Sequence, residues 1–162
     1  MQTAPELIDA LKQRGETVST VESLTGGLLC ASLTDVPGAS AVVRGGVVAY
    51  TIDAKRDVVA VDPVLLREHG AVSAEVAVAL ADRILAIFGS TWALSTTGVA
   101  GPAMQEDKPV GTVFVGLSGP YSEVIELHLE GDRYDIRQQT CQAAMELLLR
   151  ALEYEREAVS LE

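Results

Sequence analysis

A β-branched run, Thr17-Val18-Ser19-Thr20-Val21, passes directly into Glu22-Ser23-Leu24-Thr25-Gly26-Gly27, after which Leu28, Leu29, Ala31 and Leu33 recur on a helical period. A strand therefore meets a helix at a glycine-rich turn. That handover constrains the chain more than any other feature, because it is the building step of an α/β fold.

The flanking segments extend the pattern. Thr3-Ala4-Pro5-Glu6 has capping-box spacing with proline in the first turn, and Leu7, Ile8 and Leu11 carry a first helix to about Arg14, where Gly15 stops it. Pro37-Gly38 ends the second helix. A second strand is expected over Val42 to Thr51, with a bulge or twist at Gly45-Gly46 and Tyr50 at its far end. Short helical stretches open at Ala54-Lys55 and at Pro63. Ser73 caps a longer helix with Val76, Leu80, Ile84 and Phe88 on its apolar face, closed by Gly89. A third strand, Thr91 to Thr96, runs into Thr97-Gly98-Val99-Ala100-Gly101-Pro102. Val113 to Leu117 and Glu123 to Leu129 read as a hairpin, so the sheet is mixed. Asp132 caps a final helix whose last acidic residues are expected to fray.

At 162 residues and 48% hydrophobic content, the chain is expected to form one domain over 1–162. Aromatic residues make up only 4% of it, too few for a stacking platform for single-stranded nucleic acid. The net charge of −11 repels nucleic acid and anionic membranes, and no local basic patch offsets it. A small anionic ligand is still compatible, since a few converging cations outweigh a screened distant field. Cys30 and Cys141 lie in helical stretches of a chain without a signal peptide, which predicts buried free thiols in a cytoplasmic protein. Apolar runs are broken well before the roughly 18 residues of a spanning helix. His69 and His128 are the only histidines and begin no ligand spacing, so neither a metal nor another cofactor is expected. An Ala/Val-rich small domain of this kind is expected to form a homo-oligomer.

Candidate chemistry lies where strands hand over to loops and helices. Ser23 is not in a nucleophile elbow, because Val21 and Thr25 stand where glycines are required. Neither histidine lies in the polar clusters, which leaves Lys55 as the base for Ser23. Lowering its ordinary pKa by about 3 pH units costs about 4 kcal/mol, and burial or a neighbouring cation must supply it. Tyr50 can relay the proton or donate to Ser23. Thr25-Gly26-Gly27 offers backbone amides at a helix start for a phosphate or oxyanion, and Thr97-Gly98 offers a second set. Arg133 and Arg137, four residues apart, can pair with a phosphate. Taken singly, each has an ordinary reading: Lys55 a solvated lysine, Tyr50 a strand aromatic, and the arginines surface partners of Asp132 and Asp135.

Taken together, six motifs occur in order: Glu22-Ser23-x-Thr25-Gly26-Gly27, Tyr50 with Ala54-Lys55, Gly70-Ala71-Val72-Ser73, Thr97-Gly98-x-Ala100-Gly101-Pro102, Lys108-Pro109-Val110-Gly111-Thr112 and Gly131-Asp132-Arg133. Through them the chain resembles the C-terminal domain family of CinA, the competence-and-damage-inducible protein, over nearly its whole length. The resemblance implies a three-layer α/β/α sandwich with a five-stranded mixed sheet. It also implies hydrolysis of the carboxamide of nicotinamide mononucleotide in NAD salvage, by a Ser/Lys pair. Carried onto this chain, Ser23 is the nucleophile, Lys55 its base and Tyr50 an assistant. Thr97 orients the nucleophile or binds substrate, and Arg133 or Arg137 holds the phosphate. Leu24 stands where the family commonly has cysteine, and Ala103-Met104-Gln105-Glu106-Asp107 replaces a slightly longer Gly-Gly-containing loop. Two other readings accompany this one: a non-catalytic nucleotide-binding module, and an amidohydrolase of another amide.

Overall fold

The computed structural model describes residues 2–161. In chain order the elements are α1 (Thr3–Arg14), β1 (Val18–Glu22), α2 (Leu28–Thr34), a 3-10 turn (Ala39–Ala41), β2 (Val43–Val48), α3 (Ile52–Asp57), α4 (Pro63–His69), α5 (Ala74–Phe88), β3 (Trp92–Gly98), β4 (Thr112–Ser118), β5 (Glu123–His128) and α6 (Arg133–Ser160). The five strands form one mixed sheet in the order β2-β1-β3-β4-β5. β1 is parallel to both β2 and β3, while β3 with β4 and β4 with β5 are antiparallel.

Both faces of the central strands are covered, so β1, β3 and β4 are buried along nearly their whole length. Alternate side chains go to opposite faces. Trp92 and Leu94 join Leu7, Leu29, Met145 and Leu148 beneath α1, α2 and α6, whereas Ala93 joins Val76, Leu80 and Ile84 beneath α5. These helices on two faces of one sheet make the three-layer α/β/α arrangement. Gly116 lets α5 lie close on the sheet, since a Cβ there would come within 2.5 Å of the Ala77 carbonyl oxygen. The longest helix, α6, carries charges along its length, and no helix among the described residues is long and apolar enough to cross a membrane.

Most caps form where the composition places them. Ser73 accepts the Val76 amide, Asp62 the Val64 amide, and Asp132 with Asp135 makes a reciprocal capping box. The expected box at Thr3 does not form. Thr3 is already inside α1, and its hydroxyl accepts the Gln142 side-chain amide at 2.6 Å, tying α1 to α6.

Three other boundaries differ from expectation. β2 ends at Val48 because Thr51 leaves the ladder to cap α3, accepting the Ala54 amide at 3.0 Å. The bulge near Gly45 is present, as register passes from Val43 opposite Val18 to Gly45 opposite Ser19. β3 continues through Thr97 and Gly98, which remain paired with Phe114 and Val113. α6 stays helical to Ser160 rather than fraying earlier. Its last third is anchored by a tilted contact of Tyr154 with Tyr121 and by an Arg14–Glu155 ion pair at 2.8 Å. Both cysteines are free; Cys141 is buried, but Cys30 is only partly so.

Candidate active site

The three parallel strands end on the same side of the sheet, where β1 delivers Ser23, β2 delivers Ala49 and Tyr50, and β3 delivers Gly98. Around these ends lies a cavity of about 300 Å³, lined among others by Ser23, Tyr50, Lys55, Thr97, Gly98 and Arg133. That volume is at the lower end of the roughly 300–1,000 Å³ of small-molecule sites.

Ser23 is fixed by its backbone. Its amide donates to the Thr96 carbonyl at 3.0 Å, and its own carbonyl accepts the Gly26 amide at 3.0 Å. Lys55 reaches it from α3. The side chain is only 2% exposed, and Nζ lies 2.8 Å from Ser23 Oγ, 2.9 Å from the Ala49 carbonyl oxygen and 3.3 Å from that of Tyr50.

An ammonium has three donors, and here it has three acceptors. A neutral amine has two donors and one lone pair. Carbonyls can only accept, so the two N–H groups stay on Ala49 and Tyr50 and the lone pair faces the Ser23 hydroxyl. Burial brings this form within reach by lowering the Lys55 pKa from 10.5 to about 8, against the opposing charge of Glu106. Roughly one molecule in ten then carries the neutral amine at pH 7.

The two ends of Tyr50 have different partners. Its backbone carbonyl touches the amine, whereas its hydroxyl accepts from Arg133 Nη2 at 2.7 Å. Arg133 also donates to the Gly101 carbonyl at 2.6 Å, and among the described residues it is the cation other than Lys55 that lines the cavity. Thr97 donates its hydroxyl to the Ala71 carbonyl at 2.6 Å.

Four of the residues singled out from sequence, Thr25, Gly26, Gly27 and Arg137, do not line the cavity. The start of α2 is already occupied, because the carboxylate of Glu22 accepts the amides of Leu29 at 2.7 Å and Cys30 at 3.0 Å. Thr25 bonds the Thr96 hydroxyl at 2.7 Å. Arg137 donates to the carbonyls of Leu24 and Thr25 at 3.0 and 2.9 Å, which braces the turn carrying Ser23. Neither arginine pairs with Asp132 or Asp135, whose side chains are taken by the α6 cap. The histidines are likewise elsewhere: His69 faces Glu75 and His128 faces Glu126.

Two carboxylates that brace the site without lining the cavity were not selected from sequence. Glu22 was noted only as part of a motif, though its position before a helix start is a capping signal. Glu106 accepts the amides of Ala71 and Val72 at 2.8 and 3.0 Å, and nothing in its local sequence indicates this.

Comparison with known proteins gives a consistent result. The profile of a family described as CinA C-terminal domain matches residues 1–152. A CinA-like protein of Frankia casuarinae is 48% identical over 147 residues, covering 90% of this chain and 34% of that protein. A CinA-like protein of Mycobacterium marinum is 50% identical over 138 residues, covering 83% and 32%. The chain thus spans about a third of the length of the curated relatives it matches. Among solved structures, the competence/damage inducible protein CihA of Agrobacterium tumefaciens superposes with a TM-score of 0.87 at 38% identity, over 94% of each chain. The competence damage-inducible protein A (ComA) of Klebsiella pneumoniae does so with a TM-score of 0.92 at 32% identity, over 94% of this chain and 96% of that one.

Proposed function

The chain belongs to the CinA C-terminal domain family, and from that premise we propose that it is a serine amidohydrolase converting nicotinamide mononucleotide to nicotinate mononucleotide and ammonia. The observation that carries the chemistry is the 2.8 Å contact between a buried lysine amine and a serine hydroxyl at the edge of a cavity. Family membership supports the substrate.

In the proposed reaction Ser23 Oγ bonds to the carboxamide carbon as its proton passes to the neutral Lys55 amine. The tetrahedral intermediate then collapses. Its C–N bond breaks, the Lys55 ammonium protonates the departing nitrogen, and ammonia leaves an acyl ester on Ser23. A water that gives its proton to Lys55 attacks this ester, releasing the acid and restoring the serine hydroxyl. Arg133, beside Tyr50 at the cavity, supplies the cation for the substrate phosphate. Ala100 and Gly101 line the cavity, and among the described residues their backbone amides have no hydrogen-bond partner, so these are the amides available to a developing oxyanion.

Ammonia release from nicotinamide mononucleotide tests the proposal. Ser23→Ala and Lys55→Ala should each lower turnover by about a thousandfold or more. Undiminished turnover in both variants would remove the mechanism. Thermal stabilisation by the nucleotide without ammonia would instead identify a nucleotide-binding module.

A further inference from the structure

Ala103, Met104 and Gln105 line the cavity, and so do Ala71 and Val72 from the turn between α4 and α5. Glu106 joins these two segments through its hydrogen bonds to the Ala71 and Val72 amides, while the Ala71 carbonyl is held from the other side by Thr97. The backbone is shaped for this contact at both ends. Glu106 and Asp107 adopt left-handed φ values of 54° and 58°, which non-glycine residues seldom do. At Gly70, φ is 76°, and a Cβ would lie 2.6 Å from a Glu106 carboxylate oxygen, so the turn receives the carboxylate only because residue 70 is glycine.

We propose that Glu106 is a positioning residue for the Ser23–Lys55 pair: its carboxylate fastens the 103–107 loop to the 71–72 turn, and so sets the shape of the substrate slot and holds a negative charge beside the cavity of that pair. This inference rests on the proposed use of that pair.

The charges around the pair define the electrostatic part. Lys55 faces the Ser23 hydroxyl and two carbonyls, and the Glu106 carboxylate favours its ammonium form against burial. Arg133 shares the cavity, with its guanidinium on the Gly101 carbonyl and the Tyr50 hydroxyl. Lys108 lies 3.7 Å from Glu106 and partly offsets its charge. His69, beside the turn, faces Glu75 at 3.7 Å.

Three variants separate charge from tether. Glu106→Gln removes the charge and keeps one amide acceptor, so the Lys55 titration midpoint should move to lower pH. Lys108→Met removes the offsetting cation, so the midpoint should move to higher pH. Glu106→Asp keeps the charge but shortens the tether; its midpoint should move less, while KM for nicotinamide mononucleotide rises roughly tenfold. The midpoint is read from the 13Cε resonance of Lys55 in substrate-free protein, with thermal unfolding confirming that each variant folds. This readout needs no turnover, so it decides the role of Glu106 even if the native protein releases no ammonia. Equal midpoints in the native protein, Glu106→Gln and Lys108→Met would overturn the proposal, as would an unchanged KM in an active Glu106→Asp.

Discussion

The Arg133 guanidinium donates a hydrogen bond to the Tyr50 hydroxyl at 2.7 Å, while the Ser23–Lys55 contact is made without that hydroxyl. Tyr50 therefore touches the site through Arg133 and through its own backbone carbonyl. Tyr50→Phe keeps the carbonyl and loses the hydroxyl. We predict a several-fold rise in KM for nicotinamide mononucleotide with kcat changed by less than about twofold, from steady-state kinetics. A large fall in kcat at constant KM would restore the proton-relay role.

Arg137 has a different task from Arg133, although the two are four residues apart on one helix. Its bonds to the Leu24 and Thr25 carbonyls orient the turn that presents Ser23. Arg137→Met should lower kcat about tenfold and leave KM near its native value, because the guanidinium does not line the cavity. A KM effect as large as that of Arg133→Met would place Arg137 on the substrate instead.

Glu22 closes the start of α2 from a position that is only 1% exposed. Glu22→Ala strands two amides and should cost about 1–3 kcal/mol of stability, seen as a lower urea midpoint at unchanged slope. An unaltered midpoint would mean that these amides find other partners.

Burial of Lys55 also makes stability depend on pH. The unfolded chain keeps this proton up to about pH 10.5, whereas the folded protein releases it near 8. Between these values the unfolded state binds more protons, so the folded state gains stability as pH rises. Relative to Lys55→Met, the gain across the window is roughly 3 kcal/mol. Denaturation at pH 7.5 and pH 10.5 measures it; a native-minus-variant difference that does not change with pH would contradict the burial argument.

Legibility in the sequence followed the range of the interactions. The β1–α2 handover, the hairpin and the Ser73 and Asp132 caps were readable because each depends on residues a few positions apart. Lys55 was reached by elimination among possible bases, and its proximity to Ser23 depends on a parallel pairing of β1 with β2 that periodicity does not encode. The far end of β2 was misplaced because Ala49, Tyr50 and Thr51 look like strand residues, yet two supply carbonyls to Lys55 and the third caps α3. The glycine turn at 25–27 suggested an anion site, but a neighbouring carboxylate fills that helix start. The contacts of Arg137 and Glu106 join segments more than thirty residues apart through side chain and backbone, and no local pattern marks them.

The central claim is that the Lys55 amine, once neutral, takes the proton of the Ser23 hydroxyl. The rate at which a small sulfonyl fluoride modifies Ser23 reports this without any assumption about substrate. We predict that the rate climbs with pH through a midpoint near the Lys55 value of about 8, and that Lys55→Met removes both the climb and most of the reactivity. A rate that is flat across this range, or equal in the native protein and Lys55→Met, would contradict the account.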